Sequence, residues 1–134
     1  MLKLEQRFTT ELQKWMRANK QLLPRAYAWE VKVSTDDNAL PFDAVQEHQI
    51  YALEIAKWQC FVYKFSDLDR MQKPCDGVTI SGAGFLIFHW VRKGNKDFYI
   101  IDIDVFINEK ETSKRKSLTE SKAREIAMLV GKLA

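Results

Sequence analysis

In the stretch AWEVKVSTDDN, residues 28–38, two opposite charges, Glu30 and Lys32, interrupt the apolar series Trp29, Val31 and Val33. Successive side chains of a strand point to opposite faces, so Glu30 and Lys32 project to one spot and the three apolar residues to the other side. A carboxylate and an ammonium so placed suit phosphodiester hydrolysis. The acid is an oxygen ligand for Mg²⁺ or Mn²⁺, and the cation holds the attacking water or offsets charge developing in the transition state. Alone the pair is a weak signal, because Glu-x-Lys also arises on ordinary solvated strand faces.

The next chemistry-bearing residue is Gln49 in PFDAVQEHQIYALEIAKW, residues 41–58. It stands one turn beyond Val45 and one turn before Leu53, which puts its amide on the apolar, sheet-facing side of a helix. His48 lies about 100° further round the same helix, facing outward toward solvent or nucleic acid. Cations concentrate in two loops: Arg92, Lys93 and Lys96 in RKGNK, and Lys110, Lys114, Arg115 and Lys116 in EKETSKRKS. Flexible cations beside strands can track phosphates, although such loops also serve solubility alone. Cys60, Cys75, His48 and His89 lack the close spacings of a zinc site, and SGAGF lacks the length and the Gly-Lys-Ser/Thr of a phosphate-binding loop.

These residues need a scaffold, and the periodicities outline one. Leu4, Phe8, Leu12, Trp15 and Met16 recur at helical spacing, which predicts an opening helix to about Asn19. Pro24 breaks it, and residues 26–34 alternate as a strand. Asp43, with Gln46 three positions on, suits a capping box for a second helix ending near Trp58. QCFVYKF, GVTI, GFLIFHWV and DFYIIDIDVFI then read as strands, and the turns SGA and RKGNK suggest antiparallel neighbours. Ser117 and Glu120 form a second capping box for a closing helix through Ala123, Ile126, Ala127 and Val130. The predicted class is α/β, a mixed central sheet flanked by helices in one domain spanning residues 1–134.

Bulk properties agree with that size. The 134 residues are enough for one self-sufficient core. With 21 Lys and Arg against 18 Asp and Glu, the net charge of +3 argues neither for nor against an anionic partner. Two cysteines point to a reduced compartment, and the charged N-terminus and lack of long apolar runs to a cytoplasmic protein with no membrane segment.

The ordered combination of EVKVSTDDNALPFDAVQEHQI, FVYKFSD and KSLTE resembles the RecU-type Holliday-junction resolvases and related phage proteins of the PD-(D/E)XK nuclease superfamily. In these, a Glu-x-Lys strand runs through a polar turn and a Pro-Phe pair into a helix bearing Glu-His-Gln, then a strand ending in Phe-Ser. The resemblance is close over residues 28–67 and loose elsewhere. It implies a restriction-endonuclease-like core and an Mg²⁺- or Mn²⁺-dependent endonuclease acting on branched DNA as a homodimer. Residue by residue, Glu30 corresponds to the metal-binding acid, Lys32 to the catalytic lysine, Gln49 to the glutamine beside the active-site strand, and Glu11 to the acid of the first helix. His48, Arg92, Lys93, Lys114, Arg115 and Lys116 are the expected DNA contacts.

The chain departs from the pattern at one point. The superfamily's aspartate precedes the Glu-x-Lys strand, yet no Asp or Glu lies between Glu11 and Glu30. Either the acid has migrated, with Asp76 before GVTI as the first candidate, or Asp36 or Asp37 serves from the following loop, or catalysis is lost. Asp76 before Gly77 is also an ordinary turn residue. The alternative functions are a junction-binding protein with a degenerate site and a nuclease for flaps or ends.

Overall fold

The computed structural model describes residues 2–24, 27–58, 61–63, 78–80 and 82–134. Helix α1 (Leu2–Ala18) is followed by strand β1 (Tyr27–Thr35), β2 (Leu40–Pro41), α2 (Glu47–Trp58), β3 (Phe61–Tyr63), β4 (Val78–Ile80), β5 (Ala83–Val91), β6 (Asp97–Asp102), α3 (Ile103–Thr112), β7 (Ser117–Leu118), α4 (Glu120–Ile126) and β8 (Leu129–Lys132). The main sheet has the order β1-β5-β6-β8. β1 and β5 are parallel, with Glu30 opposite Leu86 and Lys32 opposite Phe88, whereas β5–β6 and β6–β8 are antiparallel. The mixed sheet flanked by helices is therefore observed.

Both faces of the sheet are covered, and strand alternation decides what each face carries. Val31, Val33, Phe85, Ile87, Phe98 and Ile100 pack against Phe8, Leu12 and Met16 of α1. On the other face, Leu86, Phe88, Trp90, Tyr99 and Ile101 pack against Leu53 of α2, Phe106 of α3 and Ala123 of α4. Parallel strands need a crossover, and α2 lies on it between β1 and β5. At Gly84 the crossover is so tight that an added Cβ would fall 2.1 Å from the Leu53 carbonyl oxygen.

Four local expectations change. The second helix starts at Glu47, so Asp43 sits instead in a short 3-10 turn, Phe42–Ala44, and the cap involves Gln46 and Gln49. DFYIIDIDVFI is half strand and half helix: the Asp102 side chain accepts from the Asp104 amide as N-cap of α3, and Ile103 and Phe106 share the buried face. The closing helix is shorter than expected. Ser117 pairs with Pro41 in a two-residue ladder, Thr119 is the N-cap through the Lys122 amide, and Val130 belongs to an edge strand beside Tyr99. β4 pairs antiparallel with β3 as a separate ribbon and not with β5 across SGA. Among the described residues no helix is long and apolar enough to cross a membrane.

Candidate functional site

β1 places Glu30 and Lys32 on the α2 side of the sheet, because Trp29, Val31 and Val33 are committed to the α1 side. Helix α2 begins one residue after Gln46, whose carbonyl accepts from the Gln49 and Ile50 amides. Gln49 folds back so that its Oε1 accepts from the Gln46 amide at 3.0 Å, the reciprocal half of a capping box. That bond fixes the amide's orientation, and its Nε2 donates to Glu30 Oε1, also at 3.0 Å. Lys32 Nζ lies 3.7 Å from the same oxygen, with its side chain 17% exposed and that of Glu30 32% exposed. A lysine is seldom so withdrawn without a partner. Two side chains, Lys32 of β1 and Gln49 of α2, thus converge on the Glu30 carboxylate.

Glu11, Asp36 and Asp37 are elsewhere. Glu11 is exposed on α1, across the sheet from Glu30, and lines a different cleft with His89 and Arg92. It does not join the Glu30 cluster, since α1 covers the face that Glu30 points away from. Asp36 and Asp37 are exposed in the loop after β1, where Asp36 has a φ of 52° and its amide donates to the Val91 carbonyl. Asp36 is six residue steps along the extended chain from Glu30, about 20 Å, too far to share one ion. Asp76 and both cysteines lie outside the described residues. Among the described residues no three His, Cys, Asp or Glu side chains are grouped to hold a metal.

The expected phosphate contacts are dispersed. His48 is exposed beside Tyr51, Ile107 and Lys110 in the groove between α2 and α3. Lys114, Arg115 and Lys116 are exposed in the α3–β7 loop, where Lys114 and Arg115 border a shallow cavity with Ser117, Thr119 and Lys122. Lys93 is exposed at the β5–β6 turn. Arg92 is tied to Glu120 by an ion pair of 2.5 Å.

That ion pair belongs to a network absent from the sequence reading. Tyr99 Oη donates to Glu120 Oε2 at 2.7 Å, and Arg124 donates both to Tyr99 Oη at 2.8 Å and to Asp97 at 3.0 Å. Burial first, then the bond to Glu120, pushes the Tyr99 hydroxyl up to about 12. Burial acts to raise Glu120, but the hydrogen bonds from Arg92 and Tyr99 outweigh it and hold the carboxyl below the usual range. The network fastens α4 to the β5–β6 hairpin. Its sequence signal was the capping-type glutamate Glu120, but the cap is Thr119 and the glutamate's carboxylate is turned to Arg92 and Tyr99.

His89, which has no zinc-type spacing in the sequence, continues the Phe85–Ile87 alternation on the α1 side of the sheet. It is 6% exposed, stacks on Phe8 at 4.6 Å between ring centres, and places Nδ1 2.8 Å from the Asp97 carbonyl oxygen. Comparison of the chain with protein-family models, curated proteins and solved structures returns no match.

Proposed function

We propose that the chain is a RecU-like nuclease with a restriction-endonuclease-like core, cutting branched DNA with Mg²⁺ or Mn²⁺. The observation that carries this reading is the convergence of Gln49 and Lys32 on Glu30 Oε1, at 3.0 and 3.7 Å. Sequence order alone does not require it, since Gln49 is nineteen positions from Glu30. The parallel β1–α2–β5 unit behind it is the arrangement that presents a strand's acid and lysine beside a helix amide. Glu30 supplies one anionic oxygen, and a hard divalent ion needs further oxygen ligands. The described residues do not complete that set, so a second acid is required, with Asp76 the candidate. When bound, the ion would offset negative charge developing on the phosphoryl oxygens. Lys32 contributes a fixed cation beside the scissile phosphate, and Gln49 holds the Glu30 carboxylate in one orientation.

Paired nicks across a two-fold junction call for a symmetric homodimer. A second reading, a junction-binding protein without catalysis, is favoured by the lack of a second acid beside Glu30 among the described residues. Labelled four-way junction, flap and linear duplex incubated with Mg²⁺, Mn²⁺ or EDTA separate the readings. Metal-dependent paired nicks in the junction support the first, and junction binding without cuts under any metal supports the second. Equal cutting of all three substrates would make the protein a general flap or end nuclease. Asp76→Asn, a substitution that a turn tolerates, should abolish cutting if Asp76 completes the metal site. Parent-rate cutting across a Mg²⁺ titration would return Asp76 to the role of a turn residue.

A further inference from the structure

A recess rich in cations lies on the face of the sheet opposite the Glu30 cluster. α1 and the β5–β6 turn enclose a cleft of about 610 Å³, with Arg7 and Glu11 on one wall and His89, Arg92, Lys93 and Lys96 on the other. The turn is closed by the Asn95 amide on the Arg92 carbonyl at 3.1 Å and passes through Gly94 at a φ of 80°, which leaves Lys93 and Lys96 exposed on either side. A carbonyl oxygen only accepts, so Nδ1 of His89, 2.8 Å from the Asp97 carbonyl, carries the hydrogen. Nε2 is then the ring atom left to the cleft that His89 lines, and the Phe8 ring stacked at 4.6 Å holds the imidazole in place.

We propose that this cleft binds a phosphate-type tetrahedral anion, with Nε2–H of His89 as a donor at its floor and Arg7, Lys93 and Lys96 as the surrounding cations. Arg92 adds to the positive field while remaining paired with Glu120. With Arg92 balanced by Glu120, the cations Arg7, Lys93 and Lys96 face Glu11 and the terminal carboxylate of Ala134, which leaves the lining net positive. In the free protein, burial holds the imidazole below its ordinary range despite the Asp97 carbonyl and the Glu120 and Glu11 carboxylates, so Nε2 is unprotonated near neutrality. An anion in the cleft favours the imidazolium, and binding therefore takes up one proton at Nε2. The cleft and the Glu30 cluster are on opposite faces, so this proposal does not depend on nuclease activity and can fail without it.

Sulfate is the first probe because its own charge does not change as the imidazole gains its proton, below the ordinary histidine range in the free protein and nearer to it with an anion bound. In two-dimensional NMR at constant ionic strength, sulfate should shift the His89 ring signals and the amides of residues 92–96. The apparent affinity should rise on acidification by up to about tenfold per pH unit, the limit for one proton. Lys93→Ala with Lys96→Ala, both exposed, should weaken binding severalfold in a folded protein. His89→Asn, which keeps a donor toward the Asp97 carbonyl, should remove the pH dependence. A short single-stranded oligonucleotide tests the source of the anion. If it shifts the same signals at far lower concentration than sulfate, the ligand is a nucleic-acid phosphodiester, and comparable concentrations point to a free phosphate. Shifts no larger than those of matched NaCl would overturn the proposal, as would an unchanged pH dependence in His89→Asn.

Discussion

Gln49 joins the start of α2 to β1: its Oε1 accepts from the Gln46 amide and its Nε2 donates to Glu30 Oε1, each at 3.0 Å. One side chain both caps the helix and orients the carboxylate. Gln49→Leu removes both bonds while keeping the volume similar. Thermal or urea unfolding should show a loss of about 1–2 kcal/mol, the scale of one cap plus one charge-assisted hydrogen bond. Gln49→Glu should recover the cap and not the contact with Glu30, because two carboxylates then face one another.

Glu30→Gln keeps the shape but removes the charge that a hard divalent cation requires. Cleavage of a four-way junction should collapse, while junction binding in a gel-shift assay persists or tightens as repulsion from phosphate is relieved. Lys32→Ala should abolish turnover and weaken binding. Parent-level cutting by either variant would remove this cluster from catalysis.

Gly84 tests how closely α2 must approach β5. A Cβ there would meet the Leu53 carbonyl carbon at 2.8 Å and its oxygen at 2.1 Å, both backbone atoms that no rotamer change can move aside. Gly84→Ala should push α2 outward and cost about 1–3 kcal/mol, the usual range for overpacking. Leu53 follows Gln49 by one turn, so the same displacement should reduce activity in whatever fraction remains folded. A melting temperature equal to the parent's would show that the crossover relaxes freely.

Exposed cations that contact phosphate release counterions when DNA binds, so their removal flattens the salt dependence. Changing Lys114, Arg115 and Lys116 together to Ala should weaken affinity for every DNA shape and lower the slope of log K against log salt, without altering the melting temperature. An unchanged slope would assign the loop to solubility.

The Tyr99 hydroxyl, raised by burial and by Glu120 to about 12 from 10.0, ties stability to alkaline pH. The unfolded chain loses this proton at lower pH than the folded one. The stabilisation is therefore fully present below about pH 10 and is lost as pH rises toward about 12, amounting to about 2–3 kcal/mol. Tyr99→Phe should be less stable near neutrality, yet show a smaller further loss across that window than the parent in urea melts. Parallel losses for the two proteins would mean that other groups govern alkaline unfolding.

Local pattern determined much of this protein. Alternation around Glu30 and Lys32 assigned their face, and helical spacing around Val45 and Leu53 turned Gln49 to the sheet, because period and direction are properties of a few consecutive residues. What local pattern left open was decided by packing. IDIDVFI fits a strand or a helix by periodicity, and the Asp102 cap together with burial of Ile103 and Phe106 selects the helix. Val130 fits a helix face, yet residues 129–132 complete the sheet beside β6, a pairing with residues about thirty positions earlier. Glu11 is on a helix in either account, and only the choice of sheet face for α1 sets it beside His89 and away from Glu30. Such choices depend on contacts between distant segments, whose energies are settled when both faces of the sheet must be covered at once.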